Sequence, residues 1–209
     1  MKRDINNIIQ VFNNNADLYQ ERYMDVSHYS TSLNLLADSL PKNAKLLDVA
    51  CGPANISSYL LTKRKDLNIT GTDLADNMLA LARKNIKGGT FLKKDCRDFT
   101  WIDGQFDAII FGFCFPYVNK LEAIRMISEA KKHLSPGGLL YTSTMEDKYE
   151  NSSFKAPSSG NSDPIFMHYH EARYLKDALA QSGYTIMHEG HVPIENEEVI
   201  KDLILIAKA

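Results

Sequence analysis

The sequence has 209 residues, 44% of them hydrophobic, and a formal net charge of −2. A protein that works by gripping nucleic-acid phosphate would normally show a basic face, so we expect no nucleic-acid partner. No apolar run approaches the length of a membrane span, so no membrane association is expected either. The size fits one domain, residues 1–209, built around a single hydrophobic core.

The three cysteines, Cys51, Cys96 and Cys114, form neither a CxxC pair nor an even disulfide framework. This usage favours a reducing compartment. The first residues, MKRDINN, lack the apolar core of a signal peptide. We therefore expect a cytoplasmic protein, and the sequence carries no signal for an oligomeric state.

Helical periodicity predicts helices over 5–14 and 16–39, and we expect residues 1–40 to form a helical cover. From Lys45 onward, strand-like runs alternate with helical ones, which predicts parallel βαβ units. The predicted strands are 45–49, 68–72, 89–93, 106–112 and 138–144, and the helices between them are 54–64, 76–86 and 120–134. A breaker cluster at 135–138, Ser-Pro-Gly-Gly, is expected to stop the last of these helices and admit the fifth strand.

After residue 150 the composition changes. Residues 151–164 are polar and rich in breakers, and loops of this length are usually lids, binding loops or disordered. We expect 146–170 to form the substrate-side loop. A last helix is predicted over 171–182, and two final strands near 184–191 and 200–208 suit an antiparallel hairpin that closes the sheet.

Acidic residues close three successive predicted strands. Asp48 and Asp73 lie at the ends of the first two strands, and Asp95 lies just past the third. Because the carboxyl ends of parallel strands meet at one edge of a sheet, these carboxylates converge on a crevice of the kind that binds adenosine. The sequence therefore predicts a nucleoside ligand.

The turn after the first strand distinguishes two nucleoside cofactors. A dinucleotide needs G-x-G-x-x-G, and those positions fall on Ala50, Gly52 and Asn55, which is one match in three. S-adenosylmethionine (SAM) has no phosphates, so a single close backbone approach at Gly52 suffices. Its compact amino-acid end suits small neighbours and the nearby carboxylate of Asp48. The turn therefore favours SAM.

The other two acids fit the rest of that ligand. Asp73 can accept hydrogen bonds from both ribose hydroxyls, and Leu74 and Met78 can lie against the faces of the adenine ring. Asp95 can accept from the exocyclic amine of adenine, while the backbone N–H of Cys96 donates to a ring nitrogen. Three acids after three strands are more specific than any one of them.

Five segments in this order resemble the class I SAM-dependent methyltransferases, over residues ~30–209. They are LLDVACG at 46–52, GTDLADNML at 71–79, DCRDF at 95–99, QFDAII at 105–110 and LSPGGL at 134–139. The resemblance implies a Rossmann-like, doubly wound α/β fold with a seven-stranded, mostly parallel sheet. Its strand order would be 3-2-1-4-5-7-6, with the seventh strand antiparallel and helices on both faces.

The resemblance also assigns roles to residues. It implies that Asp48, Ala50, Cys51 and Gly52 lie at the methionine end of SAM, that Asp73 binds ribose, and that Asp95 and Cys96 bind adenine. The product would be S-adenosyl-L-homocysteine. The chain departs from the commonest family pattern at Ala50 and Ala54, where glycine is usual.

Methyl transfer from a sulfonium is an in-line displacement, so positioning is its main demand and supplies roughly 7–11 kcal/mol. The acceptor is expected beyond the fourth strand, where Phe111 and Phe113 begin an aromatic pocket wall and are also candidate cofactor-binding residues. Amine-methylating relatives often place a polar residue before Pro-Pro-aromatic there. This chain has Cys-Phe-Pro-Tyr at 114–117, which keeps the Pro–aromatic ending and lacks the polar acceptor. That argues against base or amide N-methylation and favours a small-molecule acceptor.

Two further groups are candidates near the reaction. His168 and His170 follow the long loop, and either is a candidate general base; the alternative is that they cap the next helix or face solvent. Tyr19 and Tyr23 share one helix face at i and i+4, from which one of them could reach the methionine end of SAM. Simple packing explains them equally well. A metal site is not expected, because no third ligand is in register.

The leading hypothesis is a SAM-dependent methyltransferase acting on a small molecule. One alternative is a non-catalytic SAM- or adenosine-binding module, which stays open because no catalytic base can be named with certainty from the residues. The other is an NAD-dependent oxidoreductase, against which the broken glycine fingerprint argues.

Overall fold

The computed structural model describes residues 5–156, 164–193 and 200–209. The helices are α1 (Ile5–Asn14), α2 (Ala16–Tyr23), α3 (Ser30–Ser39), α4 (Asn55–Lys63), α5 (Asp76–Asn85), α6 (Lys120–Lys132) and α7 (Ala172–Gln181), with short 3-10 turns at Ser27–Tyr29, Phe115–Tyr117 and Tyr149–Asn151. The strands are β1 (Lys45–Val49), β2 (Asn68–Asp73), β3 (Thr90–Lys93), β4 (Phe106–Gly112), β5 (Leu134–Glu146), β6 (Ser153–Lys155), β7 (Ile165–Met167), β8 (Thr185–Pro193) and β9 (Lys201–Lys208).

One seven-stranded sheet organises the fold, in the order β3-β2-β1-β4-β5-β9-β8. Strands β1 to β5 pair in parallel, and β9 is antiparallel to both of its neighbours, β5 and β8. Because β8 and β9 are the sixth and seventh strands of this sheet, the order is the expected 3-2-1-4-5-7-6, and the fold prediction is confirmed. Strands β6 and β7 form a separate antiparallel pair.

Helices cover both faces of the sheet. Successive side chains of a strand point to opposite faces, so neighbouring residues of β1 enter different core layers. Leu46 packs in the layer of α3, α4 and α5, and Leu47 packs in the layer of α6 and α7. Burial on both faces explains why the central strands are continuous apolar runs in the sequence.

The helix predicted over 16–39 is two helices. Helix α2 ends at Tyr23 and α3 begins at Ser30, with a 3-10 turn between them. The Asp25 carboxylate accepts a hydrogen bond from the backbone N–H of Ser27 at 2.9 Å. Such side-chain-to-backbone bonds compete with the helical pattern, which gives the physical reason for the break.

The breaker cluster at 135–138 lies inside β5 and not before it, so the strand begins earlier than predicted. Leu134 pairs with Phe106, whereas Leu139 pairs with Ala108, so the residues between them bulge out of the ladder. Gly137 in that bulge has φ +77°, a conformation that glycine adopts without steric cost.

The predicted substrate-side loop, 146–170, contains ordered elements. A 3-10 turn, β6 and β7 lie within it, and its residues 157–163 are outside the described part of the chain. The acidic turn expected between the last two strands, at 194–199, also lies outside the described residues. Within the described ranges, no helix has both the length and the apolar character needed to cross a bilayer.

Candidate active site

The turn between β1 and α4 is built on left-handed backbone. Ala50, Gly52 and Ala54 have positive φ, from 54° to 63°. Glycine adopts this region without steric cost, so the two alanines hold strained backbone. The N–H of Cys51 donates to the Thr72 carbonyl at 2.8 Å, which ties the turn to the end of β2.

Asp73, the last residue of β2, holds this turn from the side. Its Oδ2 accepts from the backbone N–H of Gly52 at 2.9 Å, and its Oδ1 accepts from the N–H of Ala75 at 2.9 Å. Burial raises the pKa of the Asp73 carboxyl above its usual value, and these two backbone donors oppose that rise. Each oxygen retains a second lone pair that can accept from a ligand.

Asp95, just past β3, is held by Arg97. The Arg97 Nε donates to Asp95 Oδ1 at 2.8 Å, and its Nη2 donates to Oδ2 at 2.5 Å. The Nη1 of Arg97 donates to Oε1 of Glu122, in the first turn of α6, at 2.9 Å. These partners raise the pKa of the Arg97 guanidinium further above its usual value.

A cavity of about 100 Å³ lies over the carboxyl ends of β1, β2, β3 and β4. The predicted site residues that line it are Tyr19, Ala50, Gly52, Asp73, Leu74, Met78, Asp95, Cys96 and Phe113. Gly112, Cys114 and Tyr117, from the segment where the acceptor was expected, also line it, together with residues not predicted for the site, which are Ile5, Ile8, Ile9, Phe12, Ala75 and Lys94. The edge of the sheet and the N-terminal helices therefore enclose one site together.

The contribution of helix α1 to the cavity lining has a signal in the sequence. Ile5, Ile8, Ile9 and Phe12 follow the i, i+3, i+4, i+7 spacing of one helix face, which predicts that α1 buries this stripe but does not say against what. The Phe12 ring packs edge-to-face between two tyrosine rings, at 5.8 Å from Tyr19 and 5.2 Å from Tyr117. Aromatic contacts thus join the cover to the segment after β4.

Asp48 does not line the cavity. It is 2% exposed, and Ser57 of α4 donates its hydroxyl to Asp48 Oδ2 at 2.5 Å. Burial raises the pKa of this carboxyl to about 7. Its visible contacts join β1 to α4 beneath the turn, so it is one layer removed from the lining residues.

Three other predicted residues also lie outside the cavity lining. Tyr23 packs against the Tyr19 ring at 4.7 Å, and its carbonyl accepts from the side chain of Asn55. Phe111 is fully buried in the core of the α6–α7 layer. Cys51 is buried, and that burial raises the pKa of its thiol well above the usual value.

The two histidines hold the loop before α7 and do not line the cavity. His170 is fully buried, its Nε2 lies 2.8 Å from the Phe115 carbonyl, and its Nδ1 meets the Tyr174 hydroxyl. A carbonyl can only accept, so Nε2 carries the proton, and burial lowers the pKa of the ring to about 4. His168 Nδ1 lies 3.2 Å from the Tyr149 hydroxyl, and its ring stacks on that of Tyr149.

A second cleft, of about 480 Å³, lies at the carboxyl end of β5 and is lined by charged side chains of both signs. There Glu146 Oε1 accepts from the N–H of Ala172, the first residue of α7, and Oε2 pairs with His191 at 2.7 Å. Glu146 therefore caps a helix. In the described part of the chain, no group of three or more His, Cys, Asp or Glu residues is arranged to hold a metal ion.

Residues 46–138 match the family model of a methyltransferase domain. The chain is 29% identical over 210 residues to "Putative methyltransferase YqeM" of Bacillus subtilis, covering 90% of this chain and 83% of that protein. It is 32% identical over 117 residues to the demethylmenaquinone methyltransferase of Thermotoga maritima, covering 56% of this chain and 49% of that protein. The fold also matches the magnesium protoporphyrin IX methyltransferase of Synechocystis PCC 6803 with bound SAM, at TM-score 0.71 and 17% identity over 96% of this chain and 94% of that one.

Residues 46–138 thus resemble a methyltransferase domain, and the fold of the chain is that of a solved SAM-dependent methyltransferase. The similar proteins support the predictions of family, enzyme class and cofactor.

The lining of the cavity suits SAM chemically. In a phosphate-binding loop the backbone N–H groups of the turn face the ligand, but here the N–H of Gly52 donates to Asp73. The site thus offers the carboxylates of Asp73 and Asp95, which accept hydrogen bonds. The ribose hydroxyls and the exocyclic amine of adenine are donors, so they match such carboxylates. A pyrophosphate would need donors in the same place.

Proposed function

We propose that this chain is a SAM-dependent methyltransferase that acts on a small molecule with an apolar body, bound between the N-terminal cover and the segment after β4. The observation that carries the proposal is the composition of that side of the cavity. Ile5, Ile8, Ile9 and Phe12 of α1 line it together with Phe113 and Tyr117. Aliphatic and aromatic side chains favour an apolar ligand, because binding then removes apolar surface of both the ligand and the protein from water.

The donor-side residues are proposed to act as follows. Asp73 accepts from the ribose hydroxyls, and Asp95 with the N–H of Cys96 binds the adenine edge. Leu74 and Met78 pack on the adenine ring, which agrees with their place in the cavity wall. SAM supplies an electrophilic methyl group on a sulfonium, so the protein's task is to hold the acceptor in line with that bond.

The methionine end is proposed to lie at Ala50 and Gly52, beneath Tyr19. Support comes from the approach of the Tyr19 ring, whose Cε1 lies 3.8 Å from the position that a Cβ would take at Gly52. Burial raises the pKa of the Tyr19 and Tyr117 hydroxyls far above the usual value, so both remain neutral phenols. Neutral phenols donate hydrogen bonds and do not remove protons at neutral pH.

His168 and His170 are therefore proposed as structural residues of the loop before α7. Two observations support this change from the sequence hypothesis. Neither ring lines the cavity, and both ring nitrogens of His170 already have protein partners. Catalysis by positioning alone, worth roughly 7–11 kcal/mol, does not require a general base from the protein.

The remaining proposals concern the whole chain. We propose one domain over residues 1–209, with residues 1–40 as the cover and 146–170 as the substrate-side loop. The net charge of −2 supports an acceptor other than nucleic acid. The three free cysteines support a cytoplasmic location. One similar protein, the demethylmenaquinone methyltransferase of Thermotoga maritima, has a small-molecule substrate by its name, which supports the same class of acceptor here.

Isothermal titration with SAM, S-adenosyl-L-homocysteine and NAD tests the donor site. Binding of the first two without NAD is expected, and binding of NAD alone would refute the proposal. Extracts incubated with methyl-labelled SAM then test the acceptor class. Label should partition into organic solvent as a low-molecular-weight product. Label confined to protein or nucleic acid would refute the small-molecule assignment, and tight SAM binding with no label transferred would favour a non-catalytic module.

A further inference from the structure

A chain of ion pairs runs from the cavity wall into the start of α6. Asp95 lines the cavity, and its carboxylate accepts hydrogen bonds from the Nε and Nη2 atoms of the forked Arg97 guanidinium. The backbone N–H of Arg97 also donates to Asp95 Oδ1 at 2.9 Å. The remaining terminal nitrogen of that guanidinium donates to Glu122. Two-point Arg–carboxylate contacts fix the plane of the carboxylate as well as its charge.

The far end of this chain is itself anchored. The Oε2 of Glu122 accepts from the backbone N–H of Asn119 at 2.8 Å, and the Asn119 side chain accepts from the N–H of Glu122 at 2.9 Å. This reciprocal pair is a capping box that starts α6. Arg97 therefore bridges the N-terminus of α6, through Glu122, and the Asp95 carboxylate at the cavity.

Stability alone does not account for this arrangement. The side chains of Arg97, Asp95 and Glu122 are 26%, 29% and 21% exposed. A two-point Arg–carboxylate network with this access to water can add to the free energy of folding, but that gain does not require the carboxylate to lie at the cavity wall. What the fork does supply is a carboxylate of fixed orientation at that wall.

We propose that Arg97 is a positioning residue that makes the donor site select adenine over a base with an oxo group at the same position. The inference rests on the proposed adenine contact of Asp95. An ionised carboxylate only accepts hydrogen bonds, so it pairs with the exocyclic amine of adenine. Hypoxanthine carries an oxygen there, which would face the carboxylate as a second acceptor, and its N1 carries a hydrogen where the N1 of adenine accepts. Without the guanidinium, the Asp95 carboxylate loses the two side-chain bonds that fix its plane, so its contact with the amine weakens.

The test compares two probes, S-adenosyl-L-homocysteine and S-inosyl-L-homocysteine, by isothermal titration. The native protein should bind the adenosyl compound about 10–100-fold more tightly, the effect of one hydrogen bond to a charged group. Arg97→Gln should reduce that preference by at least about threefold, chiefly by weakening the adenosyl compound, while the mismatch at N1 remains in every variant. Arg97→Lys, which keeps the charge and loses the fork, should give an intermediate preference.

Arg64→Gln is the matched control. Arg64 grips Asp66 with the same two nitrogens, both at 2.9 Å, with side chains 24% and 27% exposed. This pair precedes β2, at the opposite edge of the sheet from the cavity. Its loss should leave the preference between the probes unchanged.

The outcomes separate the two proposals. If the native protein binds neither probe, the proposed donor site is wrong. If it binds the adenosyl probe but Arg97→Gln keeps the native preference, or if the native protein shows no preference, the role of Arg97 is refuted. Circular dichroism checks folding, and if Arg97→Gln does not fold, a native preference in Arg97→Lys refutes the role equally.

Discussion

Replacing Asp73 with alanine separates two functions of one carboxylate. In the protein this side chain accepts from the N–H groups of Gly52 and Ala75. Losing two such bonds at about 1–2 kcal/mol each lowers the free energy of unfolding by about 2–4 kcal/mol. If the same oxygens also accept from two ribose hydroxyls, at about 1.5–3 kcal/mol each, the affinity for S-adenosyl-L-homocysteine falls by at least about a hundredfold.

Two measurements on the same sample distinguish these losses. Urea unfolding gives the stability, and isothermal titration with S-adenosyl-L-homocysteine gives the affinity. Asp76→Ala is the control, because that neighbouring carboxylate is 66% exposed and pairs with Lys93 across the surface. It should change stability by less than about 1 kcal/mol and leave affinity unaltered. Affinity of Asp73→Ala within about threefold of the native value, alongside reduced stability, would make Asp73 purely structural.

Three further predictions use the same two measurements. Asp48 has a pKa raised to about 7 by burial, so the folded protein keeps a proton that the unfolded chain releases, and stability falls as pH rises from about 4 to about 7. Asp48→Asn should reduce that fall by roughly 1–4 kcal/mol, and an unchanged pH profile would contradict the assignment. His170→Ala should cost about 2–4 kcal/mol of stability without changing donor affinity, and a loss of affinity alone would contradict the structural role. In Gly52→Ala the new methyl group has room, because it would lie 3.8 Å from Tyr19. The expected loss of about 1 kcal/mol of stability therefore comes from the φ of +54° at this position. The substitution should also weaken donor binding, and unchanged affinity would contradict the close backbone approach.

The sheet and its edge could be predicted because their signals are local. Each of the first three strands has an acidic residue within two positions of its carboxyl end, and parallel pairing brings those ends together. Asp73 and Asp95 line the cavity for this reason, since Asp73 is the last paired residue of β2 and Asp95 comes just past β3. Leu74 and Met78 belong to the same turn-and-helix unit as Asp73, so they arrive at the same place.

The sequence around a buried strand does not predict which face of the sheet each side chain points to. Strand β1 is buried on both faces, so hydrophobicity does not say which way Asp48 points. It points to Ser57, nine residues later, where a hydroxyl satisfies it. The place of the histidines outside the cavity lining has a similar cause, because the partners of His170 include a carbonyl 55 residues away. Contacts across that separation follow from packing and not from any pattern in the sequence.

Helix α1 joins the two sides of the cavity. It packs on α5 through two hydrogen bonds of 2.9 Å between Asn13 and Asn77, and it meets the segment after β4 through the Phe12–Tyr117 contact. Helix α2 has its own contact with α4, where the Asn55 side chain donates to the Tyr23 carbonyl. Because the Phe12 ring touches both Tyr19 and Tyr117, a substitution at this one position bears on the proposed donor and acceptor sides together.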